Sequence, residues 1–150
     1  MKLFDVAGPE HHFSVWAVFN EEGSCQVMEK MRRVSREHQE LAQQMAAMLY
    51  EEVPDKGPPN DSRRFGSLRE GVVYEFKAQE YVTRTERLGF RIACFFDGAF
   101  TIVCTNAFYK TGTTPRDQVN LAVGERERYF RDKELDKLDL IDWPGGQDHD

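Results

Sequence analysis

The run GFRIACFFDGAFTIVCTNAFYK, residues 89–110, constrains the fold more than any other part of the chain. Two stretches rich in Phe, Ile, Val and Cys flank Asp97-Gly98, the residue types that a type I′ turn needs because both of its central residues take positive φ. The pattern predicts a β-hairpin with strands over residues 89–96 and 99–110. With a two-residue loop, Phe96 faces Ala99, Ile92 faces Val103 and Arg91 faces Cys104. One side of the hairpin then carries Phe90, Ile92, Cys94, Phe96, Thr101, Val103 and Tyr109. The other carries Arg91, Ala93, Phe95, Phe100, Ile102, Cys104, Phe108 and Lys110. A sheet that is apolar on both sides must be covered by helix on both. The cations Arg91 and Lys110 share a face at the end far from the turn.

The rest of the chain supplies those covers. Residues 12–20 alternate as a strand with Phe13, Val15, Ala17 and Phe19 on one side and Ser14, Trp16 and Val18 on the other. Ser24 is placed to cap a helical run in which Val27, Met31, Val34, His38, Leu41, Met45 and Met48 recur at intervals of four and three. No Gly or Pro interrupts residues 24–53, enough for a helix of about 45 Å at 1.5 Å per residue. That length predicts a bend near Ser35 and a helical pair. His38, inside the stripe, reads as a hydrogen-bonded packing residue. Residues 54–66, with three prolines and two glycines, read as a loop, and residues 72–80 as a further strand. Thr114 is placed to cap a helix with Pro115 at its first position and Asp117 in its first turn. Residues 134–150 mix Leu135, Leu138, Leu140, Ile141 and Trp143 with acids and read as a short docked helix followed by disorder.

Charge is unevenly placed. The net charge is −6, but residues 62–133 carry 13 basic and 9 acidic groups. Residues 1–61 carry 6 basic and 11 acidic groups, and residues 134–150 carry 1 and 6. A cationic middle between acidic flanks fits a polyanion partner for the middle alone. Cys25, Cys94 and Cys104 lack any paired spacing and read as buried thiols, and the four histidines show no ligand spacing, so no metal or other cofactor is expected. No stretch has the roughly 18 to 20 apolar residues of a membrane span or the long apolar run of a secretory signal, which predicts a cytoplasmic protein.

The element order and the segment FRIACFFDGAFTIVCTNAFYKTGTTPRDQVNLA resemble the HigB branch of the RelE/ParE superfamily, toxins of bacterial type II toxin-antitoxin systems. The matching pieces are Leu68-Arg69, Glu75-Phe76-Lys77, Arg91-Ile92 with Phe95-Phe96, Phe108-Tyr109-Lys110, and Thr114-Pro115 followed by Ala122. Lys77 stands where the family usually has arginine, and Thr113 where a lysine commonly precedes Thr-Pro. The resemblance implies a RelE-like α+β fold: a small antiparallel or mixed sheet of about four strands, an N-terminal helix or helix pair and a C-terminal helix. A toxin domain would span residues 1–133, with an acidic tail over residues 134–150. It further implies a ribosome-associated endonuclease (mRNA interferase) that cleaves mRNA, inhibits translation and is held by an antitoxin with a helix-turn-helix fold.

RNA cleavage without metal needs a base for the 2′-hydroxyl, cations for the phosphorane and an acid for the leaving 5′-oxygen. Arg91 is the first candidate for phosphate binding because a guanidinium offers forked donors, and Arg69 is the second. Lys77 and Lys110 are candidates for phosphate binding or for acid and base work. Glu75 is a candidate base or an orienter of Arg91, and Tyr109 a candidate for base stacking or proton donation. Arg116 and Lys110 flank the turn before the last helix, a candidate phosphate cradle. Two other functions stay open: a gyrase inhibitor of the ParE kind, and a catalytically inactive RelE-fold module that binds protein.

Overall fold

A computed structural model describes residues 1–141. The fold is α+β, built on a seven-stranded mixed sheet rather than one of about four. The strands are β1 Lys2–Asp5, β2 Ser14–Val18, β3 Phe65–Arg69, β4 Val73–Tyr81, β5 Arg87–Phe96, β6 Thr101–Lys110 and β7 Asp139–Ile141. They lie in the order β3-β4-β5-β6-β2-β1-β7, with β2–β6 and β1–β7 parallel and the other pairs antiparallel. β2, β4, β5 and β6 are the expected four. The added strands are short: β3, at one edge, begins in the last two residues of the stretch read as a loop, and β7, at the other edge beyond β1, lies within residues read as a docked helix. Trp143 and the Pro144-Gly145-Gly146 end lie outside the described residues.

Helix covers both faces, as the two-sided apolar pattern requires. On one side lie α1 Gln26–Glu37 and α2 Gln39–Ala46, the latter running through a π-helical turn at Ala47–Glu52 into α3 Val53–Lys56, which includes Pro54. The chain bends at His38 (φ −144°, ψ 77°) and not at Ser35. His38 is tied down there by a 2.9 Å hydrogen bond to Glu80 and an edge-on contact with Tyr109, the packing role its place in the stripe suggested. Ser24 does not cap α1: its hydroxyl donates to Glu29, and Cys25 takes the cap position without a side-chain bond. Phe76, Phe90, Ile92, Ile102, Val15 and Ala17 form the core with Val27, Val34, Leu41 and Met45.

The opposite face carries α4 Arg116–Glu134, whose Ala122 and Tyr129 pack with Ala93, Phe95, Val103 and Phe108. Pro115 is its cap residue and not its first turn, and Thr114 makes no side-chain cap. Leu3, Trp16 and Val18 extend this second core, so both sides of β2 are apolar as its alternation predicted.

The β5–β6 register departs from the two-residue turn. Phe96 pairs with Ile102, and Asp97 N–H donates to Thr101 O at 2.9 Å. Side chains explain the longer connection: Asp97 is held from α4 by Tyr129 Oη at 2.7 Å and Lys133, while Phe100 turns away onto Phe13 and His12. Further along, Cys94 pairs with Cys104 and Ala93 with Asn106, so Thr105 is an extra residue, a β-bulge. Thr105 Oγ1 donates to Ala93 O, and Asn106 Nδ2 donates to Gln118 O at 3.1 Å and Oε1 at 2.9 Å, fastening β6 to α4. Ile92 therefore faces Ala107, and Arg91 faces Phe108. The longer turn reverses the faces expected for the first half of β6, and the bulge restores them beyond Thr105. Ile102 and Cys104 join the α1–α2 core and Val103 the α4 core, while Tyr109 and Lys110 keep their predicted sides.

Candidate functional site

The α4 side of the sheet is not wholly covered. Beyond Phe108 the strands run on past the helix, and a polar cavity of about 400 Å³ opens there, lined by Gln79, Thr85, Arg87, Gly89, Arg91, Lys110, Thr111 and Gly112. Strand alternation places the cations. Gln79 pairs with Gly89, Gly89 with Lys110 and Lys77 with Arg91, so all of these residues present one face.

Gly89 makes the site's central geometry feasible. A Cβ there would lie 2.8 Å from Arg91 Nη1 and 3.0 Å from the Lys110 carbonyl oxygen. The missing side chain is the space in which the Arg91 guanidinium lies. Arg91 Nη1 donates to Ala78 O at 3.1 Å, and Nε sits 3.3 Å from Glu75 Oε1. The Arg91 and Glu75 side chains are only 10% and 5% exposed, so this is a buried ion pair at the cavity floor. It is a contact of charges and not an aligned hydrogen bond, since neither Arg91 Nε nor Glu75 Oε1 has a hydrogen-bond partner.

Proton affinities show which force wins. Burial pushes the Glu75 carboxyl above its ordinary range even though Arg91, Lys110 and Lys77 all pull it down. Burial likewise lowers Arg91, with Arg87 adding to that and Glu75 opposing it. Each partner is thus shifted towards its neutral form, so desolvation outweighs mutual attraction at this pair.

Glu75, Lys77, Arg91 and Lys110 are therefore brought together, but not as equals. Lys110 lines the open cavity, whereas Lys77 reaches over Gly66 and donates to Ser62 O at 2.9 Å. The other candidates lie elsewhere. Tyr109 is on the opposite face, packed on Phe90, beneath the Lys30 ammonium and donating to Glu37 at 3.2 Å. Arg69 pairs with Val73 at the other end of the β3–β4 ladder, about 13 Å along the strand from Lys77 at 3.3 Å per residue. Arg116 is exposed at the start of α4. Arg87 was missed because the strand was expected to begin at Gly89; continuing the alternation from Arg91 back through Gly89 reaches it.

The arrangement suits an anion. Arg87, Arg91 and Lys110 converge on a cavity with no carboxylate in its lining, the Glu75 carboxylate lying against Arg91 Nε, and forked donors bind phosphate oxygens well. Among the described residues no group of three or more His, Cys, Asp or Glu is placed to hold a metal, and no helix is long and apolar enough to cross a membrane. Comparisons with protein-family models, with curated proteins and with solved structures find no match to this chain.

Proposed function

We propose that the chain is an endoribonuclease that cleaves mRNA on the ribosome, the toxin of a type II toxin-antitoxin pair, working through side-chain cations. The observation that carries this reading is the Arg91 guanidinium, held at the floor of an open polar cavity beside Lys110 and Arg87 and oriented from below by Glu75. The resemblance of residues 65–130 to the HigB branch adds the substrate class and the antitoxin.

In this mechanism Arg91 and Arg87 hold the scissile phosphate and stabilise the charge that gathers on the phosphorane. The Arg91 guanidinium is anchored by Ala78 O before substrate arrives, so its donor needs little reorganisation in the transition state. Lys110 has three N–H donors at the cavity wall and serves the leaving 5′-oxygen. Glu75 is too deeply buried to touch the 2′-hydroxyl, so it is a positioning residue for Arg91 and not the base. The open cavity admits water to take the 2′ proton.

The test is primer extension on mRNA after brief induced expression in a bacterial host, comparing wild type with Arg91→Ala and Lys110→Met. Lys110→Met leaves the buried pair intact and so separates chemistry from folding. New cleavage sites that vanish in both variants are expected. Intact mRNA with the folded wild-type protein would refute the ribonuclease, and DNA damage without RNA loss would favour a gyrase inhibitor. One observation favours the protein-binding alternative: a groove of about 350 Å³ along α1 and α2, lined by Met28, Met31, Ala42, Ala46 and Tyr50 and by the polar Arg32, Ser35, Gln39 and Gln43. Apolar grooves between helices are a recurrent seat for a partner's helix.

A further inference from the structure

The β4–β5 hairpin tip borders the cationic cavity and carries a side chain that the fold does not use. Tyr81 is 70% exposed, the most exposed large apolar side chain among the described residues. The other tyrosines are engaged: Tyr74 stacks on Phe65, Tyr109 meets His38 and Phe90, Tyr129 packs on Phe95, and Tyr50 lines the helical groove. Tyr81 makes none of these ring contacts. It pairs with Arg87 across the ladder, and strand alternation puts both on the face that carries Gln79, Gly89 and Arg91.

The tip is built to hold its shape. Val82 N–H donates to Glu86 O at 2.9 Å, and Thr83 Oγ1 accepts from the Glu86 amide at 3.0 Å. Arg84 and Arg87 are exposed on this hairpin, against one exposed acid, Glu86. Arg87 is also one of the cations that line the cavity, so the aromatic ring sits one ladder partner away from the phosphate-binding group. Along β5, Arg87 and Arg91 stand about 13 Å apart, with Lys110 opposite the midpoint at Gly89. A strip of cations with an unoccupied aromatic ring at its outer end is how proteins hold single-stranded nucleic acid: the cations follow the backbone and the ring takes a base.

We propose that Tyr81 is a nucleobase-stacking residue, which receives an unpaired base of the RNA strand whose backbone runs across Arg87, Lys110 and Arg91. The inference rests on the RNA-cleaving reading and adds the element that positions the nucleotide flanking the scissile phosphate. It commits the hairpin tip to single-stranded RNA: the net positive charge of the tip and cavity matches a phosphate backbone, and the ring accepts any base.

The test uses the full chain and a fluorescein-labelled single-stranded RNA in which one nucleotide at a time is made abasic. Tyr81→Ala should weaken binding by about 5- to 150-fold, the worth of one stacked base, while Tyr81→Phe and Tyr81→Trp bind as wild type does. One abasic position should weaken wild-type binding by a similar factor and leave Tyr81→Ala unaffected, a non-additivity that a purely structural role would not produce. Equal sensitivity of wild type and Tyr81→Ala at every abasic position overturns the stacking role and leaves the ribonuclease standing if cleavage persists. Tyr81-dependent binding without cleavage overturns the ribonuclease and leaves the stacking role. Wild-type protein that does not bind the RNA overturns both.

Discussion

The buried pair of Glu75 and Arg91 permits a prediction in which stability and activity move in opposite directions. At 3.3 Å and an effective dielectric constant near 20, the two charges attract by about 5 kcal/mol. Removing either ion from water costs several kcal/mol, so for side chains only 10% and 5% exposed the combined desolvation cost meets or exceeds that attraction. The upward shift of Glu75 and the downward shift of Arg91 point the same way. Replacing both together, with Glu75→Leu and Arg91→Met, should therefore leave stability unchanged or raise it by about 1–4 kcal/mol. Arg91→Met alone should cost about 3–5 kcal/mol, because it strands a buried carboxylate. Lys110 and Lys77 offset part of that loss and place it at the lower end. In urea unfolding followed by far-UV circular dichroism, with a slope of about 2 kcal/mol/M, the single variant should unfold about 1.5 M earlier than wild type. The double variant should unfold at or above the wild-type midpoint. The single variant should also become less stable as pH rises. A carboxyl whose folded value is raised favours the native state while both states are protonated, and that advantage is lost as pH climbs from the ordinary value of 4.5 through the folded value. Both variants should be inactive against RNA. A double variant that loses more than about 2 kcal/mol would refute the reasoning, since the pair would then be a structural asset and not a cost borne for function.

Two glycines that cations cross give a paired test. Gly89→Ala should cost about 1–3 kcal/mol and abolish RNA cleavage, because its methyl group meets the Arg91 guanidinium and the immovable Lys110 carbonyl. Gly66→Ala meets only the flexible end of Lys77 and should change the urea midpoint little. Tyr129→Phe removes the bond to Asp97 and should cost about 1.5–3 kcal/mol at neutral pH. Burial raises the Asp97 carboxyl, but the Lys133 and Tyr129 hydrogen bonds outweigh it and hold it below its ordinary 3.8. This contribution is present above that value and lost as pH falls through the folded one, so the two urea midpoints should converge in acid.

What could be read in advance was what depends on period. The stripe from Val27 to Met48 identified the face that α1 and α2 bury, and the alternation from Phe13 to Phe19 assigned both faces of β2. Failures came where one side chain's tertiary partner overrode a local rule. Asp97-Gly98 has the composition of a two-residue turn, yet Asp97 is recruited by Tyr129 and Lys133 of α4 and the loop lengthens. The bulge at Thr105 has no local signature. It exists because Asn106 turns to bind Gln118, a partner 12 residues away. β1, β3 and β7 are too short for a period to show, and β7 pairs with β1 from the far end of the described chain.

The candidate site divides along the same line. Arg91 and Lys110 were placed on one face from spacing alone, because face assignment follows register parity even when the register itself is displaced, whereas Glu75 was named as an orienter of Arg91 only through the family resemblance. Parity cannot report depth. Nothing in the order of residues says that Glu75 is 4% exposed while Lys110 lines an open cavity, a difference on which the proposed positioning role of Glu75 rests. Gly89 reads as a weak point in a strand, since a glycine there packs nothing. In the folded chain the same absence is the cradle for Arg91. A local rule broken at the point where two charges are buried at a loss is the pattern expected where selection acts on a site and stability is made up elsewhere.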